Sequence, residues 1–269
     1  MIAVICILLL LIAGYLLMLS GRRGQEGLSQ LRGWAYAHRG LHDENLPENS
    51  MAAFQAALHK GYGIELDVHL MKDGNLAVIH DASLKRTAGA DVLIEDLTAQ
   101  DLPRYRLQGT EETIPLLSQV LELYAGKAPL IIELKSERNN YQALADAAVQ
   151  AMAGYSGVWC MESFDPRCVH SLKKYHPQVI RGQLSDNFLK APDVKAPKML
   201  KLAMTLLLPN FLTQPDFIAF RFSARKLISN QICCRLWGLQ SVSWTLETRE
   251  EYNLALKEGR IPIFEGFCP

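Results

Sequence analysis

Nine short apolar runs recur along this chain, and helix-length stretches separate most of them. The runs lie at 35–38, 64–70, 76–80, 130–134, 158–163, 179–184, 217–220, 241–246 and 261–264. Most are continuous rather than alternating, the pattern of strands buried on both faces. Between them, 50–60, 113–125, 141–155, 167–175 and 249–258 carry helix-like apolar spacing. Ser50 stands where it can cap the first of these. Asp165-Pro166 supplies a cap and an N1 proline to the fourth. Alternation of this kind predicts an α/β chain with a parallel sheet. Beyond an apolar front segment, about 240 residues remain, near the usual size of one (β/α)8 barrel.

The barrel is expected to be irregular near its second and third strands. Between Asp67 and Leu76 there is room only for a tight turn at Lys72-Asp73-Gly74, whereas a parallel crossover takes about a dozen residues or more. That unit is either truncated or a hairpin, and one of the nine runs must lie outside an eight-stranded ring. Residues 82–109 show charges, glycine and turn residues without a period, which predicts an insertion after the third run, placed to wall the site. The very apolar stretch 191–210 is expected as a barrel helix, with a membrane-facing surface helix as the alternative.

The polar residues within these runs carry the chemistry. His38-Arg39-Gly40 ends the first run: the guanidinium is a permanent clamp for phosphate, the imidazole an acid or base. Glu65 and Asp67 alternate in an apolar strand, so they project to one face. Buried carboxylates need partners, and a hard cation with oxygen ligands, Mg²⁺ or Ca²⁺, is the natural one; a structural salt bridge is the alternative. Glu133 and Lys135 repeat the same-face pattern, adding a third oxygen ligand and a positive charge, or else a simple ion pair. His80-Asp81 offers a second imidazole with an adjacent carboxylate that caps a helix or orients the ring. Glu48-Asn49-Ser50 reads as helix entry, with Glu48 also able to orient Arg39 or reach the metal. Glu162-Ser163-Phe164 and Trp244-Thr245 end two later strands and are expected to line the pocket.

These segments, HRG, PENS, ELD, HD and ELK in that order and at these separations, resemble the glycerophosphodiester phosphodiesterase family. The resemblance runs from about Tyr36 to the C-terminus and is densest before Lys135. It implies a barrel of the phosphatidylinositol-phospholipase-C-like TIM type with an insertion after the HD strand. It also implies His38 and His80 as the acid/base pair, and one divalent cation held by Glu65, Asp67 and Glu133. Arg39 and Lys135 would hold phosphate; Glu48, Asn49, Asp81, Glu162 and Trp244 are candidate supporting residues. One departure stands out. The family often ends in a Thr-Asp-x-Pro-like segment, where this chain has Phe264-Glu265-Gly266-Phe267-Cys268-Pro269; the acidic group there has moved or been lost.

Residues 2–19 are an unbroken apolar or small run followed by Arg22 and Arg23. At about 1.5 Å per residue such a run approaches the thickness of a bilayer. No basic residue precedes it and MLSGRRG is a poor cleavage site, which argues for a retained single-pass anchor (residues 1–20) over a signal peptide. A short linker (21–33) and the barrel (34–269) follow. The arginine pair then predicts a cytoplasmic catalytic part. Five cysteines outside the front segment, with no C-x-x-C pair, argue against a disulfide framework or structural zinc. A formal net charge of zero without a basic stripe argues against a nucleic-acid partner.

The expected reaction is metal-dependent cleavage of a glycerophosphodiester to glycerol 3-phosphate and an alcohol. A soluble or lipid-derived phosphodiester is the expected partner. A lysophospholipase D-like activity is the alternative, and a membrane-tethered binding protein on the same barrel is the non-enzymatic one.

Overall fold

A computed structural model describes residues 1–192 and 194–269 of the chain. Eight parallel strands form a closed barrel: β1 (Tyr36–His38), β2 (Gly63–Leu70), β4 (Leu130–Leu134), β5 (Trp159–Ser163), β6 (Arg181–Ser185), β7 (Phe217–Arg221), β8 (Gln240–Leu246) and β9 (Ile261–Phe264). Closure comes from β1, which pairs with both β2 and β9. The ninth run is β3 (Leu76–Val78), which turns back antiparallel onto β2. The turn at Lys72-Asp73-Gly74 therefore makes a hairpin, and β3 lies outside the ring.

Helices pack around the strands: α2 (Met51–His59), α4 (Leu117–Tyr124), α5 (Tyr141–Ala151), α6 (Pro166–Tyr175), α7 (Lys198–Thr205) and α9 (Arg249–Lys257). Ser50 caps α2 by accepting from Ala53 N, and Asp165 caps α6 by accepting from Arg167 N. The stretch read as one helix over 191–210 is instead α7 and, after a break, α8 (Asn210–Thr213); Asp193, within that stretch, lies outside the described residues. Residues 82–109 contain a single α-helical turn, α3 (Lys85–Ala88), and short 3-10 turns. They pack through Leu84, Ile94, Leu97, Leu102 and Leu107 onto Ala77 and Ile79.

One core lies between strands and helices, with Phe54, Leu66, Val68, Ile132, Leu144 and Leu172 buried in it. The other fills the barrel itself. Alternation along each strand divides the barrel interior by height. Tyr36, Ile131, Cys160, Phe217, Val242 and Ile261 are buried toward the floor. Two residues further along the same inward faces stand His38, Glu133, Glu162, Ala219, Trp244 and Ile263. Gly182 on β6 is needed for this packing: a Cβ there would sit 2.1 Å from the Phe217 ring.

The front segment corrects an expectation. Helix α1 covers Ile2–Met18 and stops at 17 residues. Among the described residues, no helix is long and apolar enough to cross a membrane. The predicted single-pass anchor, and with it the membrane partner and the argument for a cytoplasmic catalytic part, is overturned. The physical reason is that the end of the apolar run is used by the barrel. Leu19 is fully buried beside Leu207, Ile218 and Phe220. Trp237 Nε1 donates to Leu16 O at 2.7 Å, and Tyr15 Oη donates to Leu206 O. Arg22, read from sequence as a topology signal, makes a two-point ion pair with buried Asp216, both contacts at 2.6 Å. Residues 21–33 run along the barrel floor, and Leu31 plugs it.

Candidate active site

The inward polar residues meet at the C-terminal end of the strands, the end at which barrels of this class carry their chemistry. A cavity of about 280 Å³ opens there, lined by His38, Arg39, Glu65, His80, Glu133 and Glu162, with Phe164, Arg221 and Trp244 on its apolar and cationic side.

At its base, Glu65, Asp67 and Glu133 offer carboxylate oxygens within 4.8 Å of one another, and all three are buried. Strand register explains this: Asp67 and Glu133 are direct neighbours across β2 and β4, and Glu133 and Glu162 across β4 and β5. Lys135 Nζ lies 3.1 Å from Asp67 Oδ1 and 2.8 Å from Glu133 Oε1. Arg39 donates its backbone N–H to Glu65 Oε2 and sets Nε 3.4 Å from Asp67 Oδ2. Its left-handed backbone (φ 53°) turns the chain sharply after β1, and Gly40 (φ 84°) continues the turn.

The charges explain the protonation behaviour. Burial, then the neighbouring Asp67 and Glu133, push the Glu65 carboxyl well above its usual range. Burial does the same to Glu162, with Glu133 adding to it. Glu133 rises to about 7, mainly through burial and against the pull of Lys135. Asp67 goes the other way: despite burial, Lys135, His80, Arg39 and a 2.8 Å hydrogen bond from Asn49 Nδ2 hold it well below the ordinary value. Four buried carboxylates thus face Lys135 and Arg39; Asp67 Oδ1 has Lys135 Nζ at 3.1 Å as its contact, and Glu162 Oε2 is buried without a hydrogen-bond partner. This donor set fits a hard divalent cation.

The imidazoles share one arrangement. His38 Nδ1 donates to Glu265 Oε2 at 2.6 Å, and His80 Nδ1 donates to Asp81 Oδ1 at 2.6 Å. Ionised carboxylates only accept, so each pairing leaves Nε2 unengaged by its carboxylate. His38 Nε2 faces inward, 3.8 Å from Glu65 Oε2. Burial lowers the pKa of both rings, offset in part at His38 by Glu265 and at His80 by Asp67. Asp81 in turn accepts from Arg86 Nε, and burial notwithstanding, Arg86 and His80 hold it at about 2.

Every residue singled out from the sequence lies at this end, though not all in one shell. Glu48 does not join the carboxylate cluster: it accepts from Arg39 Nη1 at 3.0 Å and from both terminal nitrogens of Arg86. Asn49, also left-handed (φ 54°), holds Asp67 while Ser50 does the capping. Trp244 packs edge-on against Phe164 at 5.5 Å and under the Arg221 guanidinium at 4.9 Å. Three residues escaped sequence reasoning. Glu265 is the acid thought moved or lost; Arg86 comes from α3; Arg221 ends β7 and pairs with Asp186 at 2.8 Å. For Glu265 and Arg221 the signal was present, since Ile261, Ile263, Glu265 and Phe217, Ala219, Arg221 continue the inward alternation.

Residues 38–264 match the glycerophosphoryl diester phosphodiesterase family. The chain belongs to the glycerophosphodiester phosphodiesterase family. A glycerophosphodiester phosphodiesterase of Caldanaerobacter subterraneus subsp. tengcongensis is 30% identical over 239 residues, 83% of this chain and 89% of that protein. One from Bacillus altitudinis is 45% identical over 115 residues, 40% of this chain and 46% of its own length; the chain thus spans about half of some relatives that it matches. The fold is shared with a phosphodiesterase of Oleispira antarctica solved in complex with the product sn-glycerol-3-phosphate. That likeness has a TM-score of 0.72 and 21% identity, and covers 89% of this chain and 94% of the other. Relatives and structural neighbours of this glycerophosphodiester phosphodiesterase family member carry the enzyme's name.

Proposed function

We propose that the chain cleaves glycerophosphodiesters to glycerol 3-phosphate and an alcohol, with His38 and His80 as the acid/base pair. The observation that carries this reading is the paired anchoring of the two imidazoles. Each is held through Nδ1 by its own carboxylate, and both line one cavity with Arg39 and the carboxylate cluster. One Nε2 takes a proton from the attacking oxygen while the other gives a proton to the departing alcohol oxygen; water as nucleophile gives glycerol 3-phosphate directly, and the substrate's neighbouring hydroxyl gives a cyclic phosphate that water then opens to it. The phosphorus–oxygen bond to that alcohol breaks as the new one forms.

Glu65, Asp67 and Glu133 are assigned to hold one divalent cation, Mg²⁺ or Ca²⁺. Such an ion, when bound, supplies positive charge to the phosphate oxygens. Arg39, fixed by Glu48, and Lys135, fixed between Asp67 and Glu133, add charge from the chain itself. Phe164 and Trp244 supply the apolar wall and Arg221 a cation at the rim.

The reading is tested with glycerophosphocholine, glycerophosphoethanolamine and lysophosphatidylcholine, each with and without EDTA. Release of glycerol 3-phosphate from the first two, abolished by chelator, is expected. Cleavage confined to lysophosphatidylcholine would replace the substrate class, and chelator-insensitive cleavage would remove the cation.

A further inference from the structure

The chain carries no formal net charge, yet its cations are not spread evenly. A second cavity, of about 600 Å³, lies beneath the first residues of β8 and the residues that lead into β9, at the opposite end of the barrel from the mouth. It is more than twice the size of the active-site cavity and shares no lining residue with it. Arg32, Arg225, Lys226, Arg235 and Arg260 line it, and Glu258 is the one carboxylate among its lining residues.

Three of these guanidiniums are fixed rather than free to swing in solvent. Arg260 is 8% exposed; its Nε donates to Glu258 Oε2 at 2.6 Å and its Nη1 to Ser241 Oγ at 2.7 Å. Arg32 Nε donates to Gln240 Oε1 at 2.7 Å. Arg225 donates Nη1 to Phe222 O, and its Nε is buried without a hydrogen-bond partner, 3.7 Å from Glu258 Oε1. Lys226 and Arg235 pair with no carboxylate among the described residues and are exposed at the rim. Residues on the N-terminal face of a barrel usually serve stability, and the Arg260–Glu258 pair fits that role. That role does not explain four further cations around the same cavity, since like charges held together in the folded state oppose its stability.

The geometry points to an anion site on the barrel floor, separate from the active site, for a soluble phosphorylated compound bearing two or more negative charges. Pre-set guanidinium forks match phosphate oxygens two at a time. One carboxylate against five cations leaves room for a multiply charged ligand, and the volume exceeds what a bare phosphate fills.

The test is isothermal titration calorimetry of the full chain with sodium pyrophosphate in about 0.15 M salt, where non-specific attraction is screened. It compares wild type with the double variant Lys226→Ala/Arg235→Ala. Both residues are exposed and outside the catalytic set, so folding and turnover of a glycerophosphodiester are expected to be unchanged. A pyrophosphate site in wild type that weakens at least tenfold in the double variant, and recovers in Lys226→Arg/Arg235→Lys, is expected. Superimposable isotherms for wild type and the double variant would overturn the inference. So would equal affinity for sulfate and pyrophosphate, or binding to phosphatidylglycerol vesicles without binding of soluble pyrophosphate.

Discussion

Glu265 stands 227 residues from His38 in the chain and accepts a 2.6 Å hydrogen bond from its Nδ1. Because β1 and β9 are neighbours that close the barrel, the last residues of the chain and the end of the first barrel strand meet at the mouth. The contact mirrors the one between Asp81 and His80, also 2.6 Å. Two imidazoles are thus held alike, one by a sequence neighbour and one by the far end of the molecule.

Glu265→Ala is expected to lower kcat roughly 10–100-fold with little change in KM, within what a positioned proton-transfer group contributes. Glu265→Asp should recover part of the loss. The check is steady-state kinetics on glycerophosphoethanolamine; a change in KM alone would mean that Glu265 binds substrate rather than orienting His38.

Cation binding should strengthen with pH. Glu65 is raised well above its ordinary value and Glu133 to about 7, so both must lose protons to ligate. For such acids the protonated form favours the cation-free fold, and stability falls as pH rises through these values. The gain in melting temperature on adding Mg²⁺ or Ca²⁺ should therefore be larger at about pH 8 than at about pH 6. Glu65→Gln should remove most of the gain, as measured by differential scanning fluorimetry.

Gly182→Ala tests the barrel interior. The added methyl meets the Phe217 ring at 2.1 Å. The strands allow little retreat, and overpacking of this kind costs roughly 1–3 kcal/mol. Urea unfolding should show a lower midpoint with an unchanged slope.

Arg22→Ala tests the docking of the front segment. Asp216 is 1% exposed and also accepts from Arg181 N. Removing its partner leaves a buried carboxylate short of charge, at a cost of about 3 kcal/mol. An unchanged urea midpoint would show that the Arg22–Asp216 pair adds nothing to the fold.

Much of the architecture was legible because strands buried on both faces read as continuous apolar runs. The crowding between Asp67 and Leu76 was legible too, and β3 resolves it by pairing antiparallel with β2. The site's local pieces could be read from i, i+2 spacing, as with Glu65 and Asp67 or Glu133 and Lys135. Contacts between distant segments were not legible. Arg86 reaches Glu48 from α3, in a stretch with no periodicity, and Glu265 reaches His38 only once the ring is closed. Hydropathy misled at the front of the chain because it scores residues singly. It cannot see that Leu19 and Arg22 have partners in Ile218 and Asp216, nearly 200 residues later.

The most direct test of the central claim is glycerol 3-phosphate release from saturating glycerophosphoethanolamine with a divalent cation, by wild type, His38→Ala and His80→Ala side by side. Turnover by wild type and a loss of roughly 10²–10⁴-fold in each variant is the result expected of an acid/base pair. Full activity in either variant, or an inert wild type, would contradict it.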